Sequence, residues 1–149
     1  GSMLGSGAVI VMNEDRCMVR CLERLSYFYY EESCGQCTPC REGTHWLAKM
    51  VDRMEHGDGR EDDLKLIDEI ANNIMGNTIC ALGDAAAFPT ISYFKKFRAE
   101  FEEHVHTHKC RFKALGGKET PPSSGLACWK ARRPRSRRRG KSRRLSATK

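Results

Sequence analysis

The feature that most constrains this chain is a run of three cysteines at intervals of three residues, Cys34, Cys37 and Cys40, in the stretch ESCGQCTPCR. A tight loop at the start of a helix would let the three sulfurs converge on one point, and Gly35 permits the sharp turn between the first two. The C-x2-C-x2-C spacing is used by loops that wrap a [4Fe-4S] cluster, whose fourth cysteine often comes from elsewhere in the chain. The run therefore predicts three ligands of an iron-sulfur cluster.

The fourth ligand is expected to be Cys80, in the stretch NTICALGD, because it lies in a loop between two predicted helices and is flanked by glycines. Cys17 and Cys21 lie four residues apart on one helical face, so burial explains them without a ligand role. Cys110 and Cys128 lie at or beyond the end of the part expected to fold. The predicted metal ligands are Cys34, Cys37, Cys40 and Cys80.

Zinc is the structural alternative for the same four cysteines. Zinc sites commonly combine two C-x2-C pairs, or cysteine with histidine, and a third cysteine three residues further on is unusual for them. A secreted disulfide framework is the other alternative for a chain with eight cysteines. No signal peptide is visible, because the apolar run at residues 8–12 is shorter than a signal core of roughly 7 to 15 residues or a membrane span of about 20. The sequence therefore favours iron-sulfur chemistry in a reducing, intracellular compartment, without direct membrane insertion.

Hydrophobic residues recur at helical spacing in four segments, so the predicted fold is mainly α, a small four-helix bundle. Asn13 is available as the first N-cap, and Thr38 as the second, with Pro39 at the first helical position. Pro89 is expected to stand at the start of the main part of the last helix, because a proline in a helix interior removes a hydrogen bond. The expected helices cover about residues 13–30, 38–56, 61–75 and 84–105.

The two ends of the chain differ from the bundle. Residues 1–13 place β-branched side chains after a Gly and Ser cluster, which predicts a short strand left from an upstream domain. Residues 14–110 form the expected iron-sulfur helical bundle. Residues 111–149 carry 14 of the 26 Lys and Arg residues and a single acid, so the preceding part of the chain is net negative. This last segment is predicted to be a disordered basic tail.

The basic tail and the histidines are weaker signals. Binding of the tail to nucleic acid stays open beside a flexible polycation with no evolved ligand, and no specific nucleic acid is expected. His104, His106 and His108 are expected to form a solvated helix terminus, with metal binding as the alternative. Trp46 follows the cysteine loop and is expected first of all in the core, although it can also line the cluster pocket with His45.

The stretches ESCGQCTPCREGTHWL and NTICALGDAAAFP resemble the C-terminal part of the NADH-binding flavoprotein subunit of respiratory complex I, also called NADH-quinone oxidoreductase. Related subunits of NAD-reducing hydrogenases and formate dehydrogenases share this part. The resemblance covers about residues 1–110, including GSGAVIVM and the spacer of 39 residues between Cys40 and Cys80. Carried over, the family's cluster ligands fall on the four cysteines predicted above. The chain departs from the family after Cys110, where the family has Cys-Pro-Phe and this sequence has Cys-Arg-Phe.

The resemblance implies a relay of electrons from FMN through a [4Fe-4S] cluster towards downstream iron-sulfur clusters. It places FMN and NADH only in the full-length subunit, upstream of a chain that has no G-x-G-x-x-G phosphate loop and is not expected to be catalytic alone. The implied partners are other peripheral-arm subunits of complex I, including a small [2Fe-2S] subunit and a large iron-sulfur subunit. The implied location is the cytoplasmic side of the bacterial inner membrane, or the matrix side in mitochondria. A structural zinc-binding or subunit-interaction module is the alternative function.

Overall fold

The computed structural model describes residue 5 and residues 7–114, with side chains as far as Phe112, and six helices account for most of these described residues. The mainly α fold is therefore confirmed. The predicted disordered tail lies outside the described residues from residue 115 onward. The helices are α1 (Met18–Glu31), α2 (Thr38–His56), α3 (Glu61–Ile74), α4 (Leu82–Lys96), α5 (Arg98–Thr107) and α6 (Arg111–Ala114).

The structure does not show the predicted N-terminal strand among the residues that it describes. Residues 7–13 have no regular secondary structure, and Val9, Ile10 and Val11 are 80 to 90% exposed. A strand is stable only when its backbone groups pair with a neighbouring strand, and residues 7–114 contain no second strand to pair with. The β-branched residues thus have strand propensity, but the described part of the chain offers no sheet for them to join.

Helix α1 begins four residues later than predicted. Its N-cap is Cys17, whose thiol accepts a hydrogen bond from the backbone N–H of Arg20 at 3.4 Å. Asn13, the predicted cap, instead donates from its side chain to Asp15 at 3.0 Å. The buried face of α1 carries Val19 and Leu22 and packs mainly against α2.

Helices α2 and α3 follow the predicted boundaries closely. Helix α2 ends at His56, and the left-handed backbone of Gly57 (φ 84°) caps it as glycine commonly does. Helix α3 begins with three acids, where the helix dipole favours negative charge. Asp63 in this first turn accepts from the backbone N–H of Arg60 and pairs with Arg53 of α2, which ties the two helices together.

The expected fourth helix is divided into α4 and α5 at Phe97. Its backbone (φ −117°, ψ 26°) leaves the helical region, and its N–H still bonds to the carbonyl of Tyr93. The division lets Phe94 and Phe101 meet edge to face with ring centroids 5.4 Å apart. Both rings are buried, so packing in the core explains the turn between the helices.

Pro89 lies inside α4 and not at its start, which corrects the expectation above. Proline has no N–H to donate to the preceding turn, so the helix loses one hydrogen bond there. Ala86, Ala87 and Thr90 on either side are buried. The hydroxyl of Thr90 donates a hydrogen bond to the carbonyl of Ala86 at 2.9 Å. Tertiary packing thus holds the helix together across the proline.

The core lies between α2, α3 and the α4–α5 pair, with one face of α1 closing it. Helix α6 begins one residue after the predicted end of the bundle, and Phe112 on it packs against the core. Among the described residues, no helix is both long enough and apolar enough to cross a membrane. The largest fully buried apolar side chains are Phe101, Leu22, Leu47, Met54, Ile67 and Ile74.

Candidate metal centre

The three clustered cysteines lie where the chain passes from α1 into α2. Cys34 is exposed in the connecting loop, Cys37 is the N-cap residue of α2, and Cys40 is buried in its first turn. Gly35 between them has a left-handed backbone (φ 78°), so the sequence correctly indicated a turn that requires glycine. The guanidinium of Arg41 donates to the carbonyl of Gly35 at 2.8 Å and fixes this loop over the helix start.

Cys80 lies in the loop between α3 and α4 and is exposed. The backbone N–H of Ile79, the preceding residue, donates to Sγ of Cys37 at 3.4 Å. The loop is held by Thr78, whose hydroxyl donates to the carbonyl of Cys80 at 2.9 Å. A Cβ on Gly83, in the first turn of α4, would approach that threonine side chain to 2.5 Å, so the close packing of the loop on the helix needs glycine there. The fold therefore brings the residue before Cys80 against the sulfur of Cys37.

The chemistry of these side chains fits an iron-sulfur cluster. All four cysteines are free thiols, and soft thiolates are the ligands that such clusters use. Hydrogen-bonding groups already lie against two of the sulfurs: the N–H of Ile79 against Cys37, and the hydroxyl of Ser33 at 3.2 Å from Sγ of Cys40. The positive end of α2 and the charge of Arg41 lie beside the cysteine loop, where a cluster with four thiolate ligands would carry net negative charge. The ligand atoms and the surrounding charges are therefore both those that an iron-sulfur cluster needs.

Aromatic side chains beside the cysteine loop are arranged differently from the expectation. Trp46 is 51% exposed and does not belong to the core. His45 stacks on Tyr30 with centroids 4.7 Å apart, and burial, followed by the charge of Lys49, lowers the pKa of His45 below its ordinary value. A neutral imidazole therefore packs on the ring at the end of α1, while the indole faces solvent.

A second group of ligand-type side chains was missed by the sequence reasoning. Cys17, Glu55, His104 and Cys110 are all buried, and one ligand atom of each lies within 4.8 Å of the others. The expectation that His104 belongs to a solvated helix end is wrong, because it is 1% exposed. Helical spacing offered a signal, since His104 falls three residues after Phe101 and Glu55 four after Val51, both in the core.

The fold and the site together define a helical iron-sulfur binding module. Residues 20–104 match the family described as the NADH-ubiquinone oxidoreductase-F iron-sulfur binding region, and this chain belongs to that family. The family binds a [4Fe-4S] cluster. The resemblance stated from the two cysteine motifs is therefore confirmed.

Similar proteins agree with this assignment. The chain is 50% identical over 104 residues to the mitochondrial NADH dehydrogenase [ubiquinone] flavoprotein 1 of Dictyostelium discoideum, covering 70% of this chain and 22% of that protein. It is 49% identical over 112 residues to an NADH-quinone oxidoreductase subunit of Streptomyces coelicolor, covering 75% and 25%. The chain thus spans about a quarter of the length of these curated relatives.

A solved structure shares the fold. The crystal structure of an NAD+-reducing [NiFe]-hydrogenase in its H2-reduced state contains a chain that superposes with a TM-score of 0.63 at 29% identity. The match covers 66% of this chain and 17% of that one. The helical bundle is therefore one part of a much larger chain in this relative.

Proposed function

We propose that this chain is the electron-transfer module of an NADH-quinone oxidoreductase flavoprotein subunit, in which Cys34, Cys37, Cys40 and Cys80 bind the [4Fe-4S] cluster. The observation that carries the assignment of ligands is the hydrogen bond from Ile79 N–H to Cys37 Sγ, which joins the two cysteine loops. The cluster, when bound, supplies a one-electron redox couple. In the full-length subunit it would take electrons from FMN, which NADH reduces, and pass them to downstream clusters.

The residues around the cysteines have defined tasks in this proposal. The N–H of Ile79 and the hydroxyl of Ser33 donate to thiolate sulfurs, and the guanidinium of Arg41 fixes the loop through the carbonyl of Gly35. Donors and positive charge stabilise the more negative, reduced form and so raise the reduction potential. The protein therefore orients the ligands and sets the potential.

We propose that the exposed apolar side chains near the cysteine loops contact other subunits. Phe28, Trp46, Ile79 and Phe88 are all more than half exposed and lie on segments that adjoin these loops. Family members are subunits of complex I and of hydrogenase, which are multisubunit complexes. The proposed partners are the small [2Fe-2S] subunit and the large iron-sulfur subunit, on the cytoplasmic side of a bacterial inner membrane or the matrix side in mitochondria.

Anaerobic reconstitution tests the proposal. The chain is incubated with iron, sulfide and a thiol reductant, then desalted, and its iron and sulfide are counted. About four of each per chain and an EPR signal after dithionite reduction are expected. Uptake of zinc without iron at the four cysteines would instead favour the structural alternative, since zinc has no redox couple.

A further inference from the structure

Four buried side chains meet at the end of the bundle opposite the cysteine loops. Cys17 caps the start of α1, Glu55 lies at the last turn of α2, His104 lies on α5, and Cys110 directly precedes α6. Their exposed fractions are only 7, 2, 1 and 7%. One ligand atom of each lies within 4.8 Å of all the others, although the residues come from four separate segments.

The atoms that face one another carry lone pairs. Sγ of Cys17 is 3.4 Å from Nε2 of His104 and 3.5 Å from Oε2 of Glu55. The same two atoms of His104 and Glu55 are 3.6 Å apart. Nδ1 of His104 lies 2.8 Å from the carbonyl of Glu100, which can only accept, so Nδ1 carries the proton and donates. In the neutral imidazole the lone pair of Nε2 therefore points into the group.

Sγ of Cys17 therefore faces two other ligand atoms at once, Nε2 of His104 and Oε2 of Glu55. Cys110 adds a second sulfur within 4.8 Å of these atoms. A cation at the centre satisfies all of the lone pairs together, which is the reason metal sites gather such ligands.

We propose that Cys17, Glu55, His104 and Cys110 bind a structural zinc ion, separate from the [4Fe-4S] cluster. Two thiolates, one imidazole and one carboxylate form the mixed sulfur, nitrogen and oxygen set that zinc accepts in tetrahedral sites. Binding releases the two thiol protons to solvent. With both thiols ionised the site carries one net negative charge, and Arg20, 3.5 Å from Oε1 of Glu55, lies where it offsets that charge.

The surrounding contacts are those of a preformed site. The Nδ1 bond of His104 to a backbone carbonyl fixes the ring orientation, as is usual for histidines that bind metal. The segment before Cys110 is fastened to the end of α2, because Nδ1 of His108 is 2.9 Å from the carbonyl of Gly57. The start of α1 is fastened to α5 by the N–H of Met18, which donates to Glu100 at 2.8 Å. With four protein ligands, the ion would staple these segments and leave no open position for catalysis.

The proposal does not depend on the iron-sulfur assignment, so the first experiment measures both metals. The full chain is produced with iron and zinc supplied, reconstituted anaerobically and desalted, and metals are counted by mass spectrometry. About one zinc per chain that carries its full iron complement is expected. Iron-replete protein without zinc would overturn the proposal, and so would a Cys17–Cys110 disulfide detected by mass in protein prepared under reducing conditions.

X-ray absorption at the zinc edge then identifies the ligands in the unaltered protein. The proposed site gives two sulfurs at about 2.3 Å and two lighter atoms at about 2.0 to 2.2 Å. Zinc that occupies the iron-binding cysteines would give three or four sulfurs and no histidine signature. A sulfur-rich shell therefore contradicts the proposal without any mutant.

Matched variants complete the test. C17S combined with C110S should lower the zinc content at least about tenfold while leaving the iron content unchanged, because thiolates are the strongest ligands in the set. C21S on the same helix is the control, since the Cys21 thiol bonds to Met12 and lies outside the group. Zinc that is retained by the double variant, or that is lost equally from the control, would show that Cys17 and Cys110 are not the ligands. If the double variant does not fold, the X-ray absorption result on the unaltered protein decides the question.

Discussion

The backbone N–H of Ile79 donates to Sγ of Cys37 across 42 residues of chain, at 3.4 Å. This bond places the residue before Cys80 against the N-cap residue of α2. Cys80 therefore lies on a loop that contacts the cysteine run, whereas Cys17 lies at the opposite end of α1. The relationship leads directly to a test of the fourth ligand.

Replacing Cys80 with Ala should leave three thiolates and produce a cluster that loses one iron. The expected result is about three iron per chain, with an EPR signal in the oxidised state, because three cysteines cannot ligate four irons. C17A is the matched control and should keep about four iron per chain. Equal loss of iron from both variants would show that Cys80 is not the fourth ligand.

Replacing Gly35 with Ala should impair assembly of the cluster. Its backbone is left-handed (φ 78°), a conformation that costs a residue with a Cβ about 1 to 2 kcal/mol. Space is not limiting, because the nearest atom to an added Cβ is Cδ of Arg41 at 3.7 Å. We expect lower iron content in G35A after identical reconstitution, and a smaller loss in G35N, since asparagine tolerates this region better. Equal yields from G35A and the unaltered chain would contradict the strain argument.

Replacing Arg41 with Gln should lower the reduction potential of the cluster. The variant removes a positive charge beside the cysteine loop, and that charge favours the more negative reduced form. The side chain is about half exposed, so the effect is discounted to about 1 kcal/mol, or on the order of 40 mV for one electron. Redox titration followed by EPR measures it. R98Q, which removes a charge paired with Glu102 on α5, should leave the potential unchanged.

Replacing Gly43 with Ala should destabilise the bundle, although alanine is the better helix former. A Cβ there would lie 2.6 Å from two side-chain atoms of Ile74 on α3. Overpacking of this kind costs about 1 to 3 kcal/mol, which corresponds to a fall in Tm of at least about 4 °C for a domain of this size. I74A removes the clashing atoms but also opens a cavity in the core, so G43A combined with I74A should lose less stability in thermal unfolding than the sum of the two single variants. Strict additivity would show that the contact is not the cause.

Features set by local chain geometry were predictable from the sequence. The cysteine spacing, the glycine turn at Gly35 and the periodic apolar faces of α2 and α3 depend on residues a few positions apart. Features that depend on distant partners were not. Residues 9–11 have strand propensity without a sheet, Pro89 is tolerated because its neighbours are packed, and the break at Phe97 follows from the contact of two aromatic rings.

The sequence by itself determined that this chain is an iron-sulfur module of its family, because a cluster loop requires fixed residue types at fixed short spacings. Only the tertiary structure decided that Cys17, Glu55, His104 and Cys110 meet. The first and last of these four residues lie 93 positions apart, and the four have no motif spacing. They come together because hydrophobic burial packs the end of α2 and helix α5 against the start of α1. A shared site between distant segments is a property of that packing, which periodicity along one helix does not specify.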